Sequence, residues 1–158
     1  MTFGIYKQTA ADIMTKHVAT VSSRETVHDA LLLMAENRLA ALPVVDRNSR
    51  CIGMVSQADI IAMAHDADLE DEDLETNRAA SNVSSGGVPL DQITHERIHE
   101  VMSDSVVIAL PDELVTVVAD KMIAHEVHHI PVADESGKLL GIVSTIDILR
   151  ALRARVER

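Results

Sequence analysis

The chain has 158 residues, 47% of them hydrophobic and 25% charged, with 14 basic against 25 acidic side chains and a net charge of -11. That balance supplies enough apolar surface for a core and excludes a disordered or collagen-like chain, while the acidic total argues against broad attraction to nucleic acid, whose backbone is neutralised by Lys and Arg. The single cysteine, Cys51, excludes an internal disulfide and a four-cysteine zinc site, and no apolar run approaches the ~18 residues of a membrane span, so a soluble, cytoplasmic protein is expected.

The predicted elements begin with a short helix ending at Met14 and an extended piece near Val18. Ser23 and Thr26, with Val27, Ala30, Leu31 and Met34, then mark an amphipathic helix. Strands follow over Leu42 to Val45 and Cys51 to Val55, joined by the polar turn Asp46 to Arg50. Another helix is predicted from Ser56. Its segment Ile60 to Ala64 is apolar all round and needs cover from elsewhere in the chain or from a second chain.

Residues 66–92 read as a mobile linker, with seven carboxylates between positions 66 and 75 and then a Ser/Gly-rich run. Asp66, Asp68 and Glu70 alternate as in a calcium loop. Asp71, however, stands where that loop needs glycine, and Asn77 where it needs glutamate. Beyond the linker the first pattern returns: a helix ending at Met102, an extended piece near Val106, and a helix carrying Leu114, Val118 and Met122 with Asp112 as N-cap. Strands over Ile130 to Ala133 and Leu139 to Val143 follow, and a last helix starts at Ser144.

A shift of 88 residues aligns positions 12–60 with 100–148 without a gap, and 13 of the 49 pairs are identical. Background composition gives roughly three, so the chain is internally duplicated. Copies over residues 1–65 and 93–158 are each near the lower size limit for folding alone, and their pairing is expected. Cys51 aligns with Leu139 in a strand and reads as a buried, inert thiol.

His125-Glu126-Val127-His128-His129 matches the zinc-protease pattern His-Glu-x-x-His, which requires two histidines one helical turn apart. Pro131 biases the chain away from helix just beyond it, and the repeat places His129 opposite Ala41 at a strand entrance. A zinc-dependent hydrolase is therefore a remote alternative, and no metal site is expected.

The doubled motifs resemble a tandem pair of CBS (cystathionine β-synthase) domains. Copy one carries Asp12-Ile13-Met14-Thr15, Leu42-Pro43-Val44-Val45-Asp46 and Gly53-Met54-Val55-Ser56-Gln57-Ala58-Asp59. Copy two carries Glu100-Val101-Met102-Ser103, Ile130-Pro131-Val132-Ala133-Asp134 and Gly141-Ile142-Val143-Ser144-Thr145-Ile146-Asp147. The resemblance implies an α/β (α+β) fold of two β-α-β-β-α repeats paired by a pseudo-twofold axis. It further implies a homodimeric, non-catalytic sensor whose clefts bind an adenine nucleotide, AMP, ADP or ATP, as regulatory ligand for some regulated partner, with no catalytic cofactor.

Within that resemblance, the Asp59 and Asp147 carboxylates suit the two hydroxyls of a ribose, and Ser56 and Ser144, at helix starts, suit ribose or phosphate. An aliphatic adenine slot is assigned to Ala19, Thr20, Leu42 and Pro43 in copy one, and to Val107, Ile108, Ile130 and Pro131 in copy two. The same Ser-x-x-Asp spacing also makes a helix capping box, and both roles stay open. His128-His129 occupies the place where relatives holding phosphorylated ligands carry basic side chains, against Ala40-Ala41 in copy one. An imidazole facing phosphate there would tie affinity to pH. Arg150, Arg153, Arg155 and Arg158 read as complements to a helix C-terminus. The alternative to a sensor is a structural, oligomerising module with empty clefts.

Overall fold

The computed structural model describes residues 7–71 and 93–153. In chain order these form α1 (Ala10–Ile13), β1 (Val21–Ser22), α2 (Val27–Asn37), β2 (Ala41–Val45), β3 (Cys51–Ser56) and α3 (Gln57–Asp71), then α4 (Ile98–Val101), α5 (Val115–His125), β4 (His129–Ala133), β5 (Leu139–Ser144) and α6 (Thr145–Arg153). This is a mixed α+β architecture with one sheet in each repeat. In the first, β2 lies between a parallel β1 and an antiparallel β3; in the second, β4 and β5 are antiparallel.

The helices start where local chemistry supplies a cap. Thr26 Oγ1 accepts the Asp29 amide at 3.2 Å, while the Asp29 carboxylate accepts the Thr26 amide at 2.9 Å, so two otherwise orphaned donors are satisfied reciprocally. The buried stripe of α2 is Val27, Ala30 and Met34, and the helix ends at Arg38 in the left-handed conformation. In the second repeat the expected cap, Asp112, is displaced: α5 begins at Val115 behind Leu114, with no side-chain cap. Tertiary pairing takes over there, since the Val115 amide donates to the Gln8 carbonyl at 2.9 Å and Leu114 bridges to Thr9. The extended pieces also fall later than expected. β1 starts at Val21 rather than near Val18, and its counterpart is a single parallel bridge from Ala109 to Val132.

Adding 88 to the member of a bridge in the first repeat and subtracting 88 from the member in the second gives the equivalent bridge. Thr9 with Leu114 is answered by Arg97 with Thr26, and Thr15 with Ile142 by Ser103 with Met54. Arg50 bridges Lys138, its own equivalent, and the hairpin turns clasp each other there through Cys51 N–H to Gly137 O at 3.0 Å and Leu139 N–H to Ser49 O at 2.9 Å. These reciprocal contacts define the pseudo-twofold axis.

The core consists of two clusters, each completed by the other repeat. Val21, Val27, Met34, Leu42, Val44, Val55 and Ile60 pack with Ile93 and Ile98 from the second half. Ala109, Val118, Met122, Ile130, Val132 and Val143 pack with Ala10 from the first. Cys51 is buried, and that burial pushes its thiol pKa up, as expected of an inert strand residue. The backbone of α3 continues to Asp71, beyond residue 66 where the linker was expected to begin; Ala67, Leu69 and Glu70 are strong helix formers. The rest of the expected linker lies outside the described residues, as do Arg155 and Arg158. Of the apolar segment in α3 only Ile60 is buried, while Ile61 is 68% exposed.

Candidate ligand cleft between the repeats

The two Ser-x-x-Asp motifs adopt nearly the same geometry. Asp59 Oδ2 accepts the Ser56 amide at 2.8 Å and the Ser56 hydroxyl at 2.6 Å, and Ser56 Oγ accepts the Asp59 amide at 3.1 Å. In the second repeat Asp147 Oδ2 accepts the Ser144 amide and hydroxyl, both at 2.8 Å, and the return bond is 3.2 Å. The capping box is therefore formed at both sites, and in each it occupies one carboxylate oxygen. The other oxygen of Asp147 accepts from Arg150 Nη1 at 3.3 Å. Arg150 thus pairs back with the first turn of α6, while it and Arg153 stand in the last turn of that helix, where a cation complements the C-terminus.

A cleft of about 660 Å³ opens beside the first of these boxes. Ser56 and Asp59 line it together with the loop through Val106 and Val107, and Ala40, Ala41, His128 and His129 line it as well. The cleft is built crosswise. The Met54 amide donates to the Ser103 carbonyl at 3.0 Å and Ser103 returns the bond to Met54 at 2.9 Å, which carries the 103–107 loop of repeat two past the start of α3 in repeat one. The sequence grouping joined Val107, His128 and His129 to Ser144 and Asp147 of the same copy; the structure gathers them beside Ser56 and Asp59. Along the other diagonal, the Thr15 amide donates to Ile142 O at 2.9 Å, and the chain runs from there through Ala19 and Thr20 to β1.

Four residues assigned to the adenine slot lie inside the protein. Leu42 and Ile130 are wholly buried in the two core clusters, and Pro43 and Pro131 beside them are buried as well. β2 carries three consecutive buried residues and β4 four; Leu42 and Ile130 point into the core clusters, while Pro43 and Pro131 are buried on the opposite face of their strands. Ala19, Thr20, Val107 and Ile108 remain partly accessible, and the Ile108 carbonyl accepts from Lys121 Nζ, which also binds Glu113 at 2.8 Å. Sequence reasoning missed Met54, Ser105, Val106 and Glu126 as cleft residues. The only signal for them was the repeat itself, which does not tell own-copy from cross-copy pairing.

His129 begins β4, where it pairs with Ser144. Burial holds its pKa below the ordinary imidazole value, and His128 adds to that effect against the opposing pull of Asp147. α5 stops at His125, and Glu126 turns left-handed with φ 53°. His125 and His129 therefore share no helical face, and the zinc-protease geometry is not formed.

The family model of the CBS domain matches residues 10–66 and 98–154, and the chain belongs to that family. Among curated relatives it is 25% identical over 150 residues to the uncharacterized protein MJ1426 of Methanocaldococcus jannaschii, with 89% of each chain covered. It spans only about a quarter of the length of the homoserine O-acetyltransferases it matches. Among solved structures, the CBS domain pair of MJ0100 in complex with 5'-methylthioadenosine and S-adenosyl-L-methionine is 26% identical, with 94% of this chain and 98% of that one covered and a TM-score of 0.70. CBSX2 in complex with AMP is 24% identical, with 95% and 98% covered and a TM-score of 0.70, a likeness of fold. No helix among the described residues is long and apolar enough to cross a membrane.

Proposed function

We propose that the chain is a non-catalytic regulatory module that binds an adenosine-containing nucleotide, AMP, ADP or ATP, in the clefts between its repeats and passes that occupancy to a regulated partner. The observation that carries this reading is the crosswise cleft, in which the Ser56–Asp59 box meets the aliphatic wall of Val106 and Val107. One Asp59 oxygen is committed to the cap and the other is available to ribose hydroxyls. A volume of about 660 Å³ is in the range of small-ligand sites. The adenosyl ligands of the MJ0100 pair and the AMP of CBSX2 support the same class. The reading places the protein in the cytoplasm as a homodimer.

Isothermal titration of purified protein with AMP, ADP, ATP and S-adenosylmethionine tests it. Saturable heat with at least one of them is expected, and no heat at millimolar ligand would sink the reading. A second reading, an assembly module with empty clefts, draws on the exposed apolar side chains Ile61 and Leu149, which are equivalent under the 88-residue shift. A thermal-shift screen separates the two, since a ligand specific to the folded state raises the melting temperature by mass action.

A further inference from the structure

The pseudo-twofold axis conserves the two Ser-x-x-Asp boxes but not the charges around them. Glu126 lines the cleft beside Asp59. Its equivalent is Arg38, and both residues cap the preceding helix in the left-handed conformation, with φ 53° and 55°, so the two side chains leave the backbone in the same way. Ser105, which also lines the Asp59 cleft, is replaced on the other diagonal by His17, and the neighbouring Asp104 by Lys16. Arg150 stands against Asp147, where the first repeat has Ala62.

Ala40, Ala41, His128 and His129 all line the Asp59 cleft and exchange with one another under the 88-residue shift, so by symmetry they contribute alike to both diagonals. The contrast is carried by the outer positions. One cleft presents the carboxylates of Asp59 and Glu126. On the other diagonal the 88-residue equivalence puts Lys16 and Arg38 in place of Asp104 and Glu126, and Arg150 pairs with Asp147.

A phosphate entering the first cleft meets two like charges, whereas on the other diagonal it meets cationic side chains able to form charge-assisted hydrogen bonds. We propose that the two clefts divide their ligands by charge: the Asp147 cleft takes the phosphate-bearing adenine nucleotide, and the Asp59 cleft takes an adenosyl ligand without phosphate, neutral or cationic at its 5' end. This rests on the adenosine reading above and narrows it: adenosine recognition is kept at both clefts, while the phosphate-bearing nucleotide is assigned to the Asp147 cleft alone.

Titration calorimetry with AMP and with 5'-methylthioadenosine, on the wild-type chain and on Arg38→Glu and Glu126→Arg, tests the division. Each variant installs the residue the other repeat already carries at the same backbone conformation, so the fold is retained, and far-ultraviolet circular dichroism checks that. Wild type should bind one AMP per chain and, once saturated with AMP, still bind one methylthioadenosine. Arg38→Glu should weaken AMP roughly tenfold by reversing a charge at the phosphate while leaving methylthioadenosine affinity unchanged. Glu126→Arg should raise AMP stoichiometry from one to two. Two equal AMP sites in wild type, or AMP binding indifferent to Arg38→Glu, would overturn the division and leave the adenosine reading standing. Absence of heat with both ligands would overturn both.

Discussion

Met14 lies over Gly141 so closely that a methyl group added at the glycine would stand 2.5 Å from Met14 Sδ and 2.8 Å from the Thr15 carbonyl oxygen. The reciprocal pair, Met102 over Gly53, is slightly looser, with distances of 2.8 Å to the sulfur and 3.0 Å to the Ser103 carbonyl oxygen. These glycines let the leading helix of each repeat sit on the hairpin of the other.

Gly141→Ala should therefore destabilise the protein by about 1–3 kcal/mol, the usual cost of forcing extra volume into a packed contact. Gly53→Ala should cost less. Adding Met102→Ala should recover part of the Gly53→Ala loss, whereas Met14→Ala should not rescue Gly141→Ala, because a backbone oxygen remains in the way at 2.8 Å. Urea denaturation of the four variants measures the order.

The capping box of α2 makes Thr26→Ala cost about 1 kcal/mol. In a chain of this size that lowers the melting temperature by about 2–4 °C. The Thr26 amide and hydroxyl hold the Asp29 carboxyl below its ordinary pKa. A lowered acid contributes stability that is present above its unfolded value and is lost as pH falls toward the folded one. The difference between wild type and Thr26→Ala should accordingly shrink in acid, as followed by calorimetry.

Burial disfavours protonation of His129 in the folded state. Above the ordinary imidazole value, near 6.5, this group makes no demand on the fold. As pH drops below that value the unfolded chain takes up the proton first, and stability falls until the folded-state pKa is passed. His129→Gln should flatten that part of the profile in urea titrations between pH 5 and pH 7.5, and an unchanged slope would refute the assignment.

The proposed homodimer predicts a particle near twice 17.2 kDa in light scattering. Ile61 and Leu149 are 68% and 57% exposed, and Ile61→Asp combined with Leu149→Asp should return the particle to the mass of one chain without loss of helicity. A wild-type mass that stays at 17.2 kDa across concentrations would remove the dimer from the proposal.

The doubling was legible in the sequence because paired strands and their turns are specified locally. Val44 and Val132 fall in register with Gly53 and Gly141, and Asp46 and Asp134 each fold a hairpin turn by accepting backbone amides. The start of α5 was not legible, because its cap is a backbone pairing with Gln8 and Thr9 from the far end of the chain. Nor was the composition of the cleft. Leu42 and Ile130 have the chemistry of a slot and of a core alike, and only the strand's orientation decides between them. The Ser-x-x-Asp motif announced both a cap and a ligand group, and the structure forms the cap without consuming the second oxygen of Asp59.

The exchange of leading segments also sets a timetable for synthesis. Ala10 is buried among Ala109, Val118, Ile130 and Val143, and Thr15 bonds to Ile142 on the final strand. A nascent chain that has made only the first repeat has nothing to cover α1, and its own cluster still lacks Ile93 and Ile98. Neither half can close until the last hairpin has left the ribosome, so folding of both repeats should be governed by contacts distant in sequence. A stop codon placed between the repeats would release a chain with an uncovered helix and an open core, a substrate for chaperones and proteases.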